Sequence, residues 1–470
     1  MSSQTIKMAE RMKYTQRKGK GLPKQLESIN LHAAGIDIGG ETHFAAVPPR
    51  EGEDAAVRSF GCFTADLHEL ADWFEACGVQ TVAMESTGVY WMPVYRVLES
   101  HGFEVRLVNA RHIKYVPGRK TDVLDCQWIQ TLHAYGLLRG SFVPPKNIDQ
   151  LRAYWRQRKM LVESCAREIQ HMQKALTQMN LHLSVVLSDV TGVTGIKIIR
   201  AMVQGERDPQ ALARFRHHSV KKSEEEIAKA LTGHYSDEHL FCLRQALELY
   251  DAFQKSIADC DTELQKHMAR FERKEPQAPL DDEGQKKRKT KKRANEPAFD
   301  LRAEVHRICG VDLTRIDGIG AMTAQTIISE CGPDLSAFPT PGEFASWLGL
   351  CSNNQITGGK IQKRRSRSVK NRAATALRMA AESLHSSQSY LGAQYRRKRA
   401  RLGAPKAITA MAHKLAKLIY AMIRHGQAYV DYGQQKEEQH HAERIKRNLI
   451  RQAKKIGYEL MNSETGELVS

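Results

Sequence analysis

The sequence lacks the features of a disulfide-rich, zinc-binding or membrane-spanning protein. Its nine cysteines are scattered, with no Cys-x-x-Cys pair and no Cys/His group at zinc spacing. No apolar run approaches the ~20 residues of a membrane span, and residues 1–27 are basic and polar, without the apolar centre of a secretory signal. We therefore expect a cytoplasmic protein with no membrane partner.

Basic residues are in clear excess. Lys and Arg total 71 against 53 acidic residues, a formal net charge of +18, which favours a polyanionic partner such as nucleic acid. Many soluble proteins are basic as well, so the local patterns must decide. The length of 470 residues also predicts two or three folded units, each with its own core.

The N-terminal part has the pattern of an α/β sheet domain. Apolar runs predict strands, and apolar residues at helical spacing predict a helix after them. The predicted strand segments are 33–47, 81–86 and 103–110, and the predicted helix is 122–138. Strands that alternate with helices indicate a sheet covered by helices, in a domain ending near Pro145.

The remainder has a helical pattern. Residues 151–273 are rich in Glu, Lys, Gln, Leu and Ala, which predicts long antiparallel helices with an insertion between them. A basic run at 286–293 predicts a disordered linker. The segment 313–332 contains a Gly-x-Gly turn that fits either a phosphate-holding helix-hairpin-helix element or a plain helix hairpin. Amphipathic helices are predicted at 371–384 and 405–423.

Four carboxylates stand where the predicted elements could bring them together. Asp37 lies between two isoleucines in a strand expected to be buried, where an unpaired carboxylate is costly. Glu85 ends the next strand, and Asp122 and Asp125 share one face of the following helix. Such a group needs a counter-ion, and its oxygen ligands select Mg²⁺ or Mn²⁺. Two ions could clamp the attacking and leaving oxygens of a phosphoryl displacement.

Each acid also has a simpler interpretation. Asp37 could form a turn, Glu85 could enter a helix, and Asp122 with Asp125 could be favoured by the dipole at a helix N-terminus. The order of the four acids and the strands around them favour the joint interpretation.

A family resemblance runs through these motifs in order. The carrying segments are IDIG around Asp37, MESTGVYW from Met84, GRKTDVLDCQW around Asp122 and Asp125, and then RIDGIG, WLGLC, ITGGK and NRAATALRMAAESL. Over most of its length the chain resembles the DEDD transposases of bacterial insertion sequences. Within them it resembles the one-hundred-and-ten family and its eleven-eleven subgroup, which are RNA-guided recombinases.

The resemblance implies a fold that is α/β plus all-α. It comprises a RuvC-like, ribonuclease-H-type domain, a long helical coiled-coil arm, and a mainly helical C-terminal transposase domain. Asp37, Glu85, Asp122 and Asp125 would be the catalytic metal ligands. The predicted boundaries are 1–30 (basic arm), 31–145 (RuvC-like), 146–273 (coiled-coil arm), 274–305 (linker and helix re-entry), 306–432 (transposase domain) and 433–470 (charged helical tail).

The implied partners are nucleic acids and further copies of the chain. An element-encoded non-coding guide RNA would pair with donor and target double-stranded DNA and so choose the sites that are joined. The expected assembly is a homo-oligomer, a dimer of dimers, acting at the bacterial nucleoid.

The resemblance further implies a nucleophilic serine at a Ser-Gly pair, and here the chain departs from the family. The corresponding residues are Thr357 and Gly358. A threonine hydroxyl can form a phosphoester, but its methyl group crowds the oxygen and stiffens the side chain, which predicts reduced activity. We expect Thr357 to be the nucleophile, with Ser352 in reserve. Without the resemblance, Thr357 would be interpreted as a turn residue.

A dense group of basic residues surrounds this threonine. We expect it to hold scissile phosphates and offset charge in the transition state, positioning the DNA without reading bases. Its members are Lys360, Lys363, Arg364, Arg365, Arg367, Lys370 and Arg372.

The predicted function is therefore that of an RNA-guided DNA recombinase, a transposase. Two alternatives remain open. One is a RuvC-type junction nuclease in which water attacks and Thr357 is not needed. The other is an inactive nucleic-acid-binding relic with tight, salt-sensitive binding and no cleavage.

Overall fold

The computed structural model describes the chain as two compact units that divide between Val143 and Pro144. The described residues are 28–49, 56–86, 88–109, 122–275, 295–358, 360–363, 366, 370–426 and 433–461. Residues 1–27 of the predicted arm and 276–294 of the predicted linker lie outside this part. None of the described helices is long and apolar enough to cross a membrane.

The first unit is a sheet whose described part has five strands in the order β3-β2-β1-β4-β5. The strands are β1 (Ala33–Ile38), β2 (Thr42–Ala46), β3 (Val57–Gly61), β4 (Thr81–Glu85) and β5 (Glu104–Val108), and the helices are α1 (Thr64–Ala76), α2 (Trp91–Ser100) and α3 (Asp122–Ala134). β2 runs antiparallel to β1 and β3, whereas β1, β4 and β5 are parallel. The predicted α/β class is confirmed.

Helices cover both faces of this sheet. Ile36 and Met84 face the core that contains Phe74 of α1 and Leu98 of α2. On the other face, Ala83 packs with Ile129 of α3. Because the central strands are buried on both sides, they have the nearly continuous apolar sequences that made them predictable. The half-exposed edge strand β3 lacks such a pattern and was not predicted.

The second unit is largely helical, as predicted. Two helices of 33 residues each, α4 (Lys146–Gln178) and α9 (Asp237–Ala269), pack along each other. Between them in sequence are α5 (Leu183–Val186), α6 (Val193–Val203), α7 (Pro209–Ala213) and α8 (Glu224–Ala230). These short helices share one core with the adjoining ends of the long pair, so the insertion is a small folded body.

Most of the remaining described elements are helices, and one short hairpin lies among them in the sequence. They are α10 (Leu301–Cys309), α11 (Ala321–Cys331), α12 (Pro341–Trp347), β6 (Gln355–Thr357), β7 (Lys360–Lys363), α13 (Arg372–Ser383), α14 (Tyr390–Leu402), α15 (Ala404–His425) and α16 (Gly433–Lys455). Gly318, in the Gly-x-Gly turn before α11, has φ +82°, and a Cβ there would lie 2.6 Å from the Ala380 carbonyl oxygen. The turn therefore packs tightly against α13, and its phosphate-holding role remains a prediction.

A buried ion pair joins the two long helices. The Arg158 guanidinium of α4 donates to both carboxylate oxygens of Asp261 in α9, and the two side chains are 3% and 7% exposed. Arg158 Nη1 also donates to the Asn295 carbonyl at 3.0 Å, and Asp261 accepts from the Ala298 amide at 3.0 Å. The pair therefore also holds the chain that follows residues 276–294.

We predict that Arg158→Ala lowers the free energy of unfolding by about 3–5 kcal/mol, because it leaves the Asp261 charge buried without its partner. Urea denaturation followed by circular dichroism measures this. The matched control is Arg200→Ala. Arg200 of α6 pairs with Asp251 of α9, but these side chains are 52% and 43% exposed. Its expected loss is below about 1 kcal/mol, and equal losses in the two variants would contradict the prediction.

A second buried group, His133 of α3, makes the first unit sensitive to acid. Its Nε2 lies 2.9 Å from Thr81 Oγ1 of β4, and the side chain is fully buried. Burial, aided by the positive charge of Arg106, lowers the pKa of His133 to about 4. The imidazole is therefore neutral in the folded unit at pH 7, whereas an unfolded chain takes up its proton near the ordinary pKa of about 6.5.

The stability linked to His133 is present above pH 6.5 and is lost as the pH falls from there toward 4. We expect the first unit to lose about 2 kcal/mol of unfolding free energy between about pH 7 and pH 5 through this group. His133→Gln should flatten that slope in urea titrations at the two pH values. His171→Gln, at an exposed histidine of α4, should leave it unchanged. A His133→Gln slope equal to that of wild type would refute the assignment.

Candidate functional site

Two of the four predicted acids lie side by side at one edge of the sheet. In the parallel pairing of β1 with β4, Ile36 stands opposite Met84. One residue further along this register, Asp37 stands beside Glu85, the last residue of β4. Neighbouring strands are about 4.8 Å apart, and paired residues point to the same face. Both carboxylates are half-buried at the carboxyl ends of their strands.

The helix that carries the other two acids crosses β1 in direct backbone contact. A Cβ on Gly35 would lie 2.2 Å from the Gln130 amide nitrogen and 2.6 Å from the Cys126 carbonyl oxygen of α3. The Gln130 side chain donates to the Ala33 carbonyl oxygen at 3.1 Å, one step further back on the strand. Only glycine fits here, so Gly35 is a residue that the site needs and that the motif search did not single out.

The contacts of α3 also fix its direction. Gln130 reaches back to the start of β1, so the earlier turns of α3 lie toward the end that carries Asp37. Burial raises the pKa of the Cys126 thiol to about 12, and the charges of Asp37 and Asp125 add to this effect. One buried thiol therefore lies within electrostatic reach of an acid from the strand and an acid from the helix.

Asp122 begins α3 one turn before Cys126. Residues four apart on a helix are neighbours on one face, so the backbone places Asp122 on the face that Cys126 presents. Its side chain lies outside the described residues. The structure thus brings Asp37 and Glu85 together and directs the first turn of α3 toward the same edge, where the N-terminal end of a helix dipole favours negative charge.

The donor set fits a divalent metal. Carboxylate oxygens from two strand ends and one helical turn are the hard ligands that Mg²⁺ and Mn²⁺ prefer, and all four predicted ligands are carboxylates, whereas zinc favours sulfur and imidazole donors. The ligand assignment remains a prediction.

A different group of donors lies on the other side of the sheet. Atoms of Asp72, Glu75 and His101 come within 4.8 Å of one another and could hold an ion. His101 Nδ1 is 3.0 Å from Glu75 Oε1, and its Nε2 is 3.0 Å from His68 Nδ1. Since α2 runs from the end of β4 back to the start of β5, His101 at its C-terminal cap lies at the opposite edge from Asp37. The sequence does not reveal this group, because His101 meets Asp72 and Glu75 only through the packing of α2 against α1.

The predicted nucleophile belongs to the second unit and stands at the tip of a hairpin. Thr357 is the last residue of β6, is exposed, and pairs with Lys360 of β7 across a two-residue turn. Gly358 in that turn has φ +57°, a conformation that favours glycine. The reserve candidate Ser352 is exposed and forms a bridge with Ser366. Thr357 is thus the last strand residue before the turn, and its side chain is accessible.

Part of the predicted basic group surrounds the same hairpin. Lys360, Lys370 and Arg372 have exposed side chains. Lys363 lies in β7 opposite Gln355, although its side chain is outside the description. Arg364, Arg365 and Arg367 also lie outside the described residues. The structure therefore places Lys360 beside Thr357 and leaves the rest of the predicted phosphate contacts untested.

Two family models match the chain. A transposase family described as DEDD_Tnp_IS110 matches residues 34–181, and one described as transposase IS116/IS110/IS902 matches residues 312–396. The chain carries the domains of an IS110-family transposase. The first match contains all four predicted acids, and the second contains Thr357 and its basic neighbours.

A distant relative extends the match beyond these domains. A probable family 20 transposase from Pseudomonas aeruginosa is 23% identical over 407 residues, which cover 81% of this chain and 98% of that protein. The resemblance of the motifs to this transposase family is confirmed. Such a family implies an activity that cuts and joins DNA, and DEDD transposases normally use a divalent metal.

We predict that Gly35→Ala displaces α3 and destabilises the first unit by about 1–3 kcal/mol, because the added methyl group overlaps the helix backbone. Urea denaturation measures the loss. Gly140→Ala is the matched control in the same unit, since a Cβ there meets no atom within 4 Å. A Gly35→Ala protein as stable as Gly140→Ala would contradict the close approach.

Proposed function

We propose that this transposase is an RNA-guided DNA recombinase of an insertion sequence, of the eleven-eleven subgroup, with a RuvC-like N-terminal domain. The observation that carries the proposal is the convergence of Asp37, Glu85 and the first turn of α3 on one sheet edge, inside the residues matched by the DEDD transposase family. Acids from strand ends and a helix start suit phosphodiester chemistry.

In this proposal Asp37, Glu85, Asp122 and Asp125 hold Mg²⁺, with Mn²⁺ as a substitute. The metal would supply positive charge to a scissile phosphate. The side chains themselves fix the position of that charge, because Asp37 and Glu85 come from adjacent strands and α3 is fixed on β1 at Gly35. The packed sheet thus provides the preorganisation that phosphoryl transfer requires.

Thr357 supplies the attacking oxygen. Its hydroxyl loses a proton and forms a bond to phosphorus, while the bond from phosphorus to one deoxyribose oxygen breaks and that oxygen takes up a proton. A freed DNA hydroxyl later reverses the exchange on the new partner strand. Each step forms one phosphoester bond and breaks another, so no external energy source is needed. Lys360 would contact the phosphate, and its position across the strand pair from Thr357 supports this role.

The proposed partners are a guide RNA from the element and donor and target DNA, on the bacterial nucleoid. The excess of positive charge supports polyanionic partners of this kind. The long helices α4 and α9 are the proposed dimerisation arm, and the proposed assembly is a dimer of dimers.

The proposal predicts a covalent protein–DNA adduct that depends on RNA, metal and Thr357. Purified protein is incubated with element RNA, labelled donor and target DNA and Mg²⁺, and adducts are resolved on denaturing gels. Thr357→Ala and Asp37→Asn should abolish the adduct. Thr357→Ser should raise its yield, since the methyl group that crowds the oxygen is removed. Ser352→Ala is the matched control on the same surface and should behave like wild type.

Other outcomes separate the alternatives. Cleavage without an adduct, unchanged in Thr357→Ala but lost in Asp37→Asn, would identify a junction nuclease that uses water. Tight, salt-sensitive DNA binding without cleavage in Mg²⁺ would identify a binding relic. An adduct lost only in Ser352→Ala would move the nucleophile to Ser352.

A further inference from the structure

An aromatic side chain spans the two loops that leave the acid-bearing strands. Gly40 follows Asp37 by three residues, and Gly88 follows Glu85 by three. A Cβ on Gly40 would lie 3.7 Å from Cζ of Tyr90, and one on Gly88 would lie 3.4 Å from its Cδ2. Tyr90 therefore lies across the ends of β1 and β4, beside the edge where Asp37 and Glu85 stand.

This ring is accessible, unlike the aromatic rings that follow it. Tyr90 is 51% exposed and the preceding Val89 is 67% exposed. Trp91 and Tyr95 meet edge to face, with ring centroids 5.8 Å apart, and both pack against the core under the sheet. The start of α2 therefore turns Trp91 inward and leaves Tyr90 outside. The exposed half of the ring is accessible to a ligand at the ends of β1 and β4.

The chemistry of this edge defines the ligand. When carboxylates act on a phosphodiester, the bases of the two adjoining nucleotides lie close to the same group of side chains. Aromatic rings stack on nucleobases without strong sequence preference, and Tyr rings are common stacking platforms. Gly40 and Gly88 flank the ring, and a Cβ at either position would stand at ordinary van der Waals distance from it.

We infer that Tyr90 is a DNA-binding residue that stacks on a nucleobase next to the phosphate held at the carboxylate edge. The inference rests on the proposed function, because it takes its substrate from it. Tyr90 fixes the position of the strand and takes no part in bond making.

The test measures binding of labelled element-end DNA that carries an unpaired strand, whose bases have free faces for stacking. The guide-RNA complex binds it in Ca²⁺ without Mg²⁺, so that binding does not depend on cleavage. Tyr90→Ala should raise Kd about 10-fold, as expected for the loss of one stacked base. Tyr90→Phe and Tyr90→Trp should restore binding, since each keeps a stacking ring. In Mg²⁺, Tyr90→Ala should raise KM and leave kcat at saturating DNA near the wild-type value.

The matched control is Leu137→Ala. Leu137 is also 51% exposed in the first unit but follows the C-terminus of α3, at the other end of the sheet. It should bind DNA like wild type, and circular dichroism melting confirms that each variant is folded. Tyr90→Ala with wild-type Kd, or a loss that Tyr90→Trp and Tyr90→Phe do not restore, would overturn the stacking role.

The two proposals fail in different ways. If Asp37→Asn retains strand cleavage in Mg²⁺, the proposed function fails, whatever Tyr90 does. If Asp37→Asn loses cleavage while Tyr90→Ala binds DNA like wild type, the recombinase proposal stands and the stacking inference fails.

Discussion

The contact between the backbone of α3 and β1 at Gly35 is the constraint on which the candidate site depends. The strand and the helix approach so closely that no side chain fits between them. This approach fixes where α3 lies over the sheet, and the link from Gln130 to Ala33 fixes its direction. A helix bearing acids in its first turn is thereby directed to the edge where two strands end in acids. The concentration of negative charge is a consequence of packing between backbones.

The protein tolerates this charge because the site is at an edge and not in the core. Asp37 and Glu85 are half-buried, whereas the residues behind them in β1 and β4 are fully buried. The strands thus provide rigidity while the carboxylates keep access to solvent and ligands. Burial, with the charges of Asp37 and Asp125 adding to it, raises the pKa of the Cys126 thiol and keeps it protonated. A cation would relieve the same repulsion.

The second unit meets a different requirement, which is to hold the long helices and the hairpin that carries Thr357 in one body. Glu330 of α11 is buried and receives hydrogen bonds from the guanidinium of Arg156, while Arg152 donates to its carbonyl oxygen. Trp155 of α4 donates to Thr326 of α11 at 3.0 Å. The N-terminal half of α4 is therefore hydrogen-bonded to α11, a helix within the segment that matches the second transposase family. Farther along, the Arg158–Asp261 pair joins α4 to α9, so one helix connects the long helical pair with the domain that carries Thr357.

The sequence by itself determined the α/β and helical parts of the fold, the buried strands, the helix α3 and the resemblance to the transposase family, whereas the metal-ligand role of the four acids stays a prediction. Those features depend on local patterns: apolar runs predict buried strands, helical spacing predicts α3, and short motifs carry the family resemblance. The tertiary structure alone decided that Gly35 admits α3, that Glu85 stands beside Asp37, that His101 meets Glu75, and that Tyr90 lies over both strand ends. Each of these contacts joins residues that are separated in the sequence, and no local periodicity encodes which backbone approaches which.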